Sequence, residues 1–187
     1  DGRGGAFALD DAAVRHAGFD APRPVEESTG STRAPLERVT RAALSLDGRW
    51  LMFATGERKL DAELYLAEWA DGVARAPRPI GALDTPADEL APAFADGALY
   101  FASDRAGGAG GLDLYRASFD DGAFGAPERL GDALQSERDD TDPAPSRDGT
   151  ELVFASDRGD APARWCARAA PAAASGWTCA PFELELD

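Results

Sequence analysis

Histidine, methionine and cysteine are nearly missing from this chain. Its 187 residues hold one histidine (His16), one methionine and two cysteines, Cys166 and Cys179. A Ser-His-Asp site within the chain would have to recruit His16, which lies in an irregular Ala/Asp-rich stretch, and no G-x-S-x-G elbow offers the serine. One histidine with two cysteines is a poor donor set for zinc. Positive charge is scarce as well. Nineteen Lys+Arg against 34 Asp+Glu leave a net charge of −15, which opposes sequence-independent binding to nucleic acid or anionic lipid. No apolar run approaches membrane-spanning length, so no membrane insertion is expected. The residues from Asp1 onward show neither the basic nor the apolar region of a signal peptide. The expectation is that a leader was removed and that this stretch belongs to something longer. Helical periodicity is weak, and 13 prolines with 20 glycines oppose long helices.

What is present is repetition. The dipeptide D-G occurs at Asp47-Gly48, Asp96-Gly97 and Asp148-Gly149, at intervals of 49 and 52. Glycine accepts positive φ and aspartate bonds its own backbone, so each marks a turn. An F-A-S/T step follows each one: Phe53-Ala54-Thr55, Phe101-Ala102-Ser103 and Phe154-Ala155-Ser156. A third anchor, A-P-x-x-apolar, runs Ala21-Pro22 to Val25, Ala76-Pro77 to Ile80, Ala126-Pro127 to Leu130 and Ala180-Pro181 to Leu184, at intervals of 55, 50 and 54. Three anchors keep one period near fifty.

Each period has room for four short strands. The first full repeat offers Ala42–Leu46, Trp50–Ala54, Glu63–Trp69 and Val73–Ile80. The second offers Ala91–Phe94, Leu99–Ser103, Asp113–Ser118 and Ala123–Leu130. The third offers Ala144–Ser146, Glu151–Ala155, Ala163–Ala167 and Trp177–Leu184. Four-stranded units at this period predict an all-β fold, a β-propeller of antiparallel blades, because one small twisted sheet cannot bury both its faces alone. The boundaries read as a partial blade over 1–35 and blades over 36–86, 87–136 and 137–187. Ala6–Leu9 and Ala17–Val25 match only the last two strands of a unit. The ring is therefore expected to be unfinished, with self-association or further blades completing it.

The run Ser136-Glu137, Asp139 or Asp142, Pro145, Asp148-Gly149, Leu152, Phe154 to Arg158 carries a recognisable pattern. So does Phe101 to Arg105, followed by Gly107-Gly108 and Asp113-Leu114-Tyr115. Both resemble the TolB-like, WD-repeat-like propeller repeat of bacteria, over nearly the whole chain. The resemblance implies a periplasmic or surface setting and a protein-binding or scaffold role. No cofactor is expected from the residues. The first repeat departs from it with Thr55-Gly56-Glu57-Arg58. The third departs with Gly159 to Pro162 and Arg164-Trp165-Cys166 in place of the Gly-rich loop and D-L-Y.

Two readings attach to the triplets Ser103-Asp104-Arg105 and Ser156-Asp157-Arg158. They would either ring a central channel with charge or act structurally, Asp bonding amides of its own loop and Arg pairing with an acid on the next blade; their repetition favours the structural reading. The acidic loop Glu137 to Asp142 lacks the spacing of a calcium loop and reads as a solvated connection. Gly107 to Gly111 lacks the G-K-S/T of a phosphate cradle. Trp50, Phe53, Tyr100, Phe101 and Phe154 are expected between blades. Trp69, Trp165 and Trp177 fall on outer strands. Trp165 and Trp177, with Asp139 and Asp140, are candidate partner contacts. Cys166 and Cys179 flank a turn-rich stretch, so they stand either as a disulfide suited to export or as two thiols. The functional expectation is a non-enzymatic scaffold whose loops Glu57–Asp61, Arg105–Gly111 and Glu137–Asp142 meet a protein partner. The alternatives are a glycan-binding or glycan-processing propeller and the propeller part of a serine peptidase.

Overall fold

In the computed structural model, residues 39–56, 62–158, 164–169 and 180–181 are described, the last two segments as backbone only. The expected partial blade, the loop Glu57–Asp61, Trp177 and Cys179 lie outside them. Three antiparallel sheets follow one another. The first blade is β1 (Val39–Leu44), β2 (Trp50–Thr55), β3 (Glu63–Ala70) and β4 (Val73–Pro79), in that order across the sheet. The second is β5 (Glu89–Ala95), β6 (Ala98–Ser103) and β7 (Asp113–Asp120), followed by β8 (Ala123–Phe124) and β9 (Glu128–Arg129), both paired with β7. The third is β10 (Asp140–Pro145), β11 (Glu151–Ser156), β12 (Arg164–Ala169) and β13 (Ala180–Pro181).

The expected strand Ala123–Leu130 is thus interrupted. Pro127 brings no N–H, and Gly125 lies so close to the Ser118 side chain that a Cβ there would overlap it. The A-P anchor marks the same irregularity in the first blade, where Ala76 has φ +49° and the register with β3 shifts between Leu66 and Glu68. The apolar residue that closes the anchor in the first and second blades is buried and tied back. Ile80 N–H donates to Leu64 C=O, and Leu130 N–H to Leu114 C=O, both at 2.9 Å.

Alternation along β2, β6 and β11 sends side chains to opposite faces, and the faces stack. Met52, Leu64, Leu66 and Ile80 of the first blade pack with Leu99, Phe101 and Tyr115 of the second. Tyr100, Ala102, Leu112 and Leu114 pack with Leu152 and Phe154 of the third. Phe53 and Tyr65 stack with centroids 5.7 Å apart, and Phe101 and Tyr115 at 5.6 Å, so the same aromatic pair recurs in successive blades. Each fully buried side chain of this size contributes about 1.5–3 kcal/mol. The register places Cys166 opposite Phe154, where the other blades have tyrosine, and opposite Pro181 on its other side.

The D-G anchor makes two different turns. Asp96-Gly97 is a two-residue hairpin with φ +45° and +63° between Ala95 and Ala98. Asp47-Gly48 and Asp148-Gly149 sit in longer turns closed by Ser45 N–H to Trp50 C=O (2.9 Å) and Ser146 N–H to Glu151 C=O (2.8 Å). In these, the serine hydroxyl donates to the aspartate at 2.5 and 2.7 Å. Those bonds, with Thr150 adding another, hold the exposed Asp148 carboxyl down at about 2.

The innermost strands β1, β5 and β10 lie side by side at the hub. Each is bulged at the same point, with φ +46° at Arg41, +52° at Ala91 and +54° at Asp142. Arg41 and Asp142 form an ion pair between the first and third blades.

Candidate functional site: the loop end of the blades

One end of the blades gathers the S-D-R triplets, the Gly-rich loop and the connections between sheets. Their polar side chains form a ladder that repeats from blade to blade. In the second blade, Asp104 Oδ1 accepts the N–H of Asp88 (2.9 Å), and Asp88 Oδ1 accepts the N–H of Ala62 in the first blade (3.0 Å). Glu89 N–H then donates to Ala62 C=O at 2.7 Å. In the third blade, Asp157 Oδ1 accepts from Asp139 N–H (2.7 Å), Asp139 Oδ1 from Leu112 N–H (3.0 Å), and Asp140 N–H donates to Leu112 C=O (2.7 Å). Two carboxylates in series thus stitch the second and third blades each to the one before it. The triplet aspartate serves the start of its own first strand, not its own loop.

The arginine of the triplet corrects the expectation as well. Arg105 Nη2 bonds Glu89 Oε1 (3.1 Å) and the Leu83 carbonyl (2.8 Å), and Arg158 Nη2 bonds Asp140 Oδ1 and the Leu134 carbonyl at 2.7 and 2.6 Å. Each acid belongs to the arginine's own blade, on the strand directly opposite the serine of the triplet. Ser103 and Ser156 accept from the Nε of their arginines at 3.1 and 2.8 Å. Arg105 also lies over the Phe101 and Tyr115 rings, 5.0 and 4.8 Å from their centroids, and Arg158 lies 5.5 Å over Phe154. Thr85 and Ser136 complete the arrangement by donating to Glu89 (2.6 Å) and Asp140 (2.9 Å). The triplets are not a charged ring around a channel. The groups at the hub are Arg41, Ala91 and Asp142.

This arrangement draws the acids of the loop Glu137 to Asp142 into the blade junction. Asp140 is fully buried, because its carboxylate is the counter-ion of Arg158. Asp139 is half-buried and receives Leu112 N–H. The Asp140 carboxylate is inaccessible to a partner. Trp165 is placed on β12 by its backbone, opposite Ala155.

The Gly-rich loop has a steric cause. A Cβ on Gly110 would overlap backbone atoms of Glu137, and one on Gly111 would overlap the Asp139 carboxylate. Gly111 N–H donates to Arg138 C=O at 3.3 Å. The loops 105–111 and 137–139 are therefore one ridge built from two blades. Asp113 anchors it from below: it is 1% exposed, and its Oδ2 accepts Ala109 N–H (2.8 Å) and Gly110 N–H (3.4 Å). Its Oδ1 is buried without a hydrogen-bond partner, and burial pushes the carboxyl up. The connection behind the ridge is held by Gln135, which accepts from Leu114 N–H (3.0 Å) and donates to the Leu114 and Leu130 carbonyls (2.9 and 3.0 Å). The inter-blade carboxylates and Gln135 escape a reading by motif, because each acts on a backbone group far away in sequence.

Four-stranded sheets stacked about a hub of first strands make this a β-propeller segment with the TolB-like fold. Similar solved structures include the protein assigned as TolB in Agrobacterium tumefaciens (20% identity, TM-score 0.54, over 80% of this chain and 50% of that one). They also include TolB from Acinetobacter baumannii (16%, 0.52, over 76% and 32%) and a puromycin-hydrolysing peptidase from Mycobacterium tuberculosis (21%, 0.51, over 72% and 21%). The chain thus spans half or less of the length of these neighbours. No family model matches the chain, and no curated protein does.

Proposed function

We propose that this chain is a non-enzymatic propeller scaffold that binds another protein in the bacterial envelope or outside the cell. The observation that carries the reading is the ridge formed by loops 105–111 and 137–139. Asp113 and Asp139 hold its backbone from beneath, while Ala106 to Gly110, Glu137 and Arg138 are exposed on top. A surface of glycine backbone and short side chains, braced by two blades, suits a broad polypeptide contact better than a small ligand, which needs a concave pocket. The TolB-like fold supports the envelope setting.

Co-purification from an envelope extract tests the reading. Ala109→Trp with Glu137→Arg should abolish capture of the partner, whereas the distant Asp71→Arg should not, and added sugars should have no effect. Capture that survives the ridge substitutions defeats the reading. The likeness to a peptidase supports one alternative, the propeller part of a serine peptidase. A hydrolase domain with its own Ser, Asp and His, encoded beside this segment, would favour it. Glycan binding that depends on Trp165 or Trp177 would favour a carbohydrate role.

A further inference from the structure

The ridge has a polarity that its composition does not show. Four consecutive amides, Gly108 to Gly111, are all engaged as donors. Ala109 and Gly110 N–H bond the buried Asp113 carboxylate at 2.8 and 3.4 Å. Gly108 N–H closes a turn onto Arg105 C=O at 3.4 Å, and Gly111 N–H reaches Arg138 C=O at 3.3 Å.

A trans peptide unit is planar, with its C=O antiparallel to its N–H. None of the described peptide bonds is cis. Turning these N–H groups onto their partners therefore turns the carbonyls of Gly107, Gly108, Ala109 and Gly110 the other way. For Gly108 and Ala109, that is straight away from Asp113 and into solvent. None of the four carbonyls accepts a backbone N–H among the described residues. Side chains do not hide them, because three of the four residues are glycine and all four are exposed. The peptide units between Gly107 and Gly111 thus offer acceptors outward and no donors.

The surroundings carry the matching charge. Glu137, whose backbone lies against Gly110, is exposed, and so is Asp104 just before the loop. Arg138 is the exposed charge of opposite sign on the ridge, within a chain of net charge −15. Lysine and arginine side chains donate and never accept. A row of acceptors in an acidic field fits them and repels carboxylates.

Resting on the scaffold reading above, we propose that the ridge takes a basic segment of its protein partner, whose lysine and arginine side chains donate to the carbonyls of Gly107 to Gly110.

A short synthetic peptide of lysine, arginine and glycine, titrated into the isotope-labelled 187-residue chain, tests this by NMR. The carbonyl carbon resonances of Gly107 to Gly110 should shift with this peptide and stay still with its glutamine and glutamate counterparts. Glu137→Arg should weaken binding about two- to fivefold, Arg138→Glu should strengthen it by a similar factor, and both effects should shrink in high salt. Ridge carbonyls that do not move, or binding indifferent to both charge reversals, would overturn the proposal. So would calcium ion alone shifting the same carbonyls and displacing the peptide, which would make the row a site for a hard cation. An envelope partner lost on Ala109→Trp, yet unaffected by Arg138→Glu and by salt, would overturn the proposal and leave the scaffold reading standing. Capture indifferent to Ala109→Trp as well would defeat both.

Discussion

Withdrawing the Arg105 guanidinium tests whether the S-D-R triplet holds its blade together. The Glu89 side chain is 1% exposed and that of Arg105 is 11% exposed. Around them, Thr85 and Ser103 donate to Glu89, and Leu83 C=O accepts from Arg105. Arg105→Met keeps an apolar stem against Phe101 and Tyr115 but leaves a buried carboxylate without its counter-ion. Removing one partner of a buried pair costs about 3–5 kcal/mol. The donors that remain on Glu89 place the expected loss toward the lower end, at about 3 kcal/mol. With a urea slope of about 1–3 kcal/mol per molar, the unfolding midpoint should fall by roughly 1–3 M.

The pH dependence supplies an independent check. Burial pushes the Glu89 carboxyl up, and Arg105 opposes the push. A carboxyl raised on folding favours the fold fully below its unfolded value near 4.5, and that contribution is lost as pH rises through the folded value. Without Arg105 the carboxyl rises further. The deficit of Arg105→Met should therefore be larger at pH 7 than at pH 4.5, and adding Glu89→Gln should recover part of it. A loss under about 1 kcal/mol, or one that does not change with pH, would refute the reasoning.

Gly110→Val should cost about 1–3 kcal/mol and speed amide exchange at Leu112, because the added carbons meet the Glu137 backbone; Gly81→Ala, with nothing within 4 Å, should be nearly neutral. Gln135→Leu should cost about 2–4 kcal/mol with an unchanged urea slope, since Leu114 N–H and Leu130 C=O lose a buried partner. Asp148 should titrate near 2 by NMR, its stabilising bonds present above 3.8 and lost as pH falls through 2, and Ser146→Ala should move the midpoint upward. A midpoint that stays near 2 in that variant would show that the hydroxyl is not the cause.

The period near fifty was legible because turn, strand and edge each leave a local mark. Asp-Gly sets a turn, Phe-Ala-Ser a buried strand, and Ala-Pro a break in an outer strand. What escaped is non-local. The same dipeptide makes a two-residue turn at Asp96 and a four-residue turn at Asp47 and Asp148, because only the latter have a serine two positions earlier to cap the aspartate. The break at Gly125 depends on Ser118 across the hairpin. The run of acids after Ser136 looked solvated, yet Asp140 is buried by an arginine 18 positions later.

The ladder itself indicates where function should be sought. Glu89 and Asp140 differ by a methylene, as do Thr85 and Ser136, yet each pair makes the same contacts to the equivalent arginine or acid. Chemistry that recurs in successive blades with interchangeable side chains answers a demand made by every blade junction. A partner makes its demand once, at one place on the ring. If the chain binds a partner as proposed, specific recognition rests on what does not recur. At the loop end, that is the ridge over Gly110, whose counterpart in the third blade is spelled Gly159-Asp160-Ala161-Pro162 and has no run of glycines. Substitutions in the ladder should lower stability and partner binding together. Substitutions of Ala109 or Glu137 on top of the ridge should lower binding alone, and loss of stability in proportion to binding at those positions would return the ridge to the scaffold.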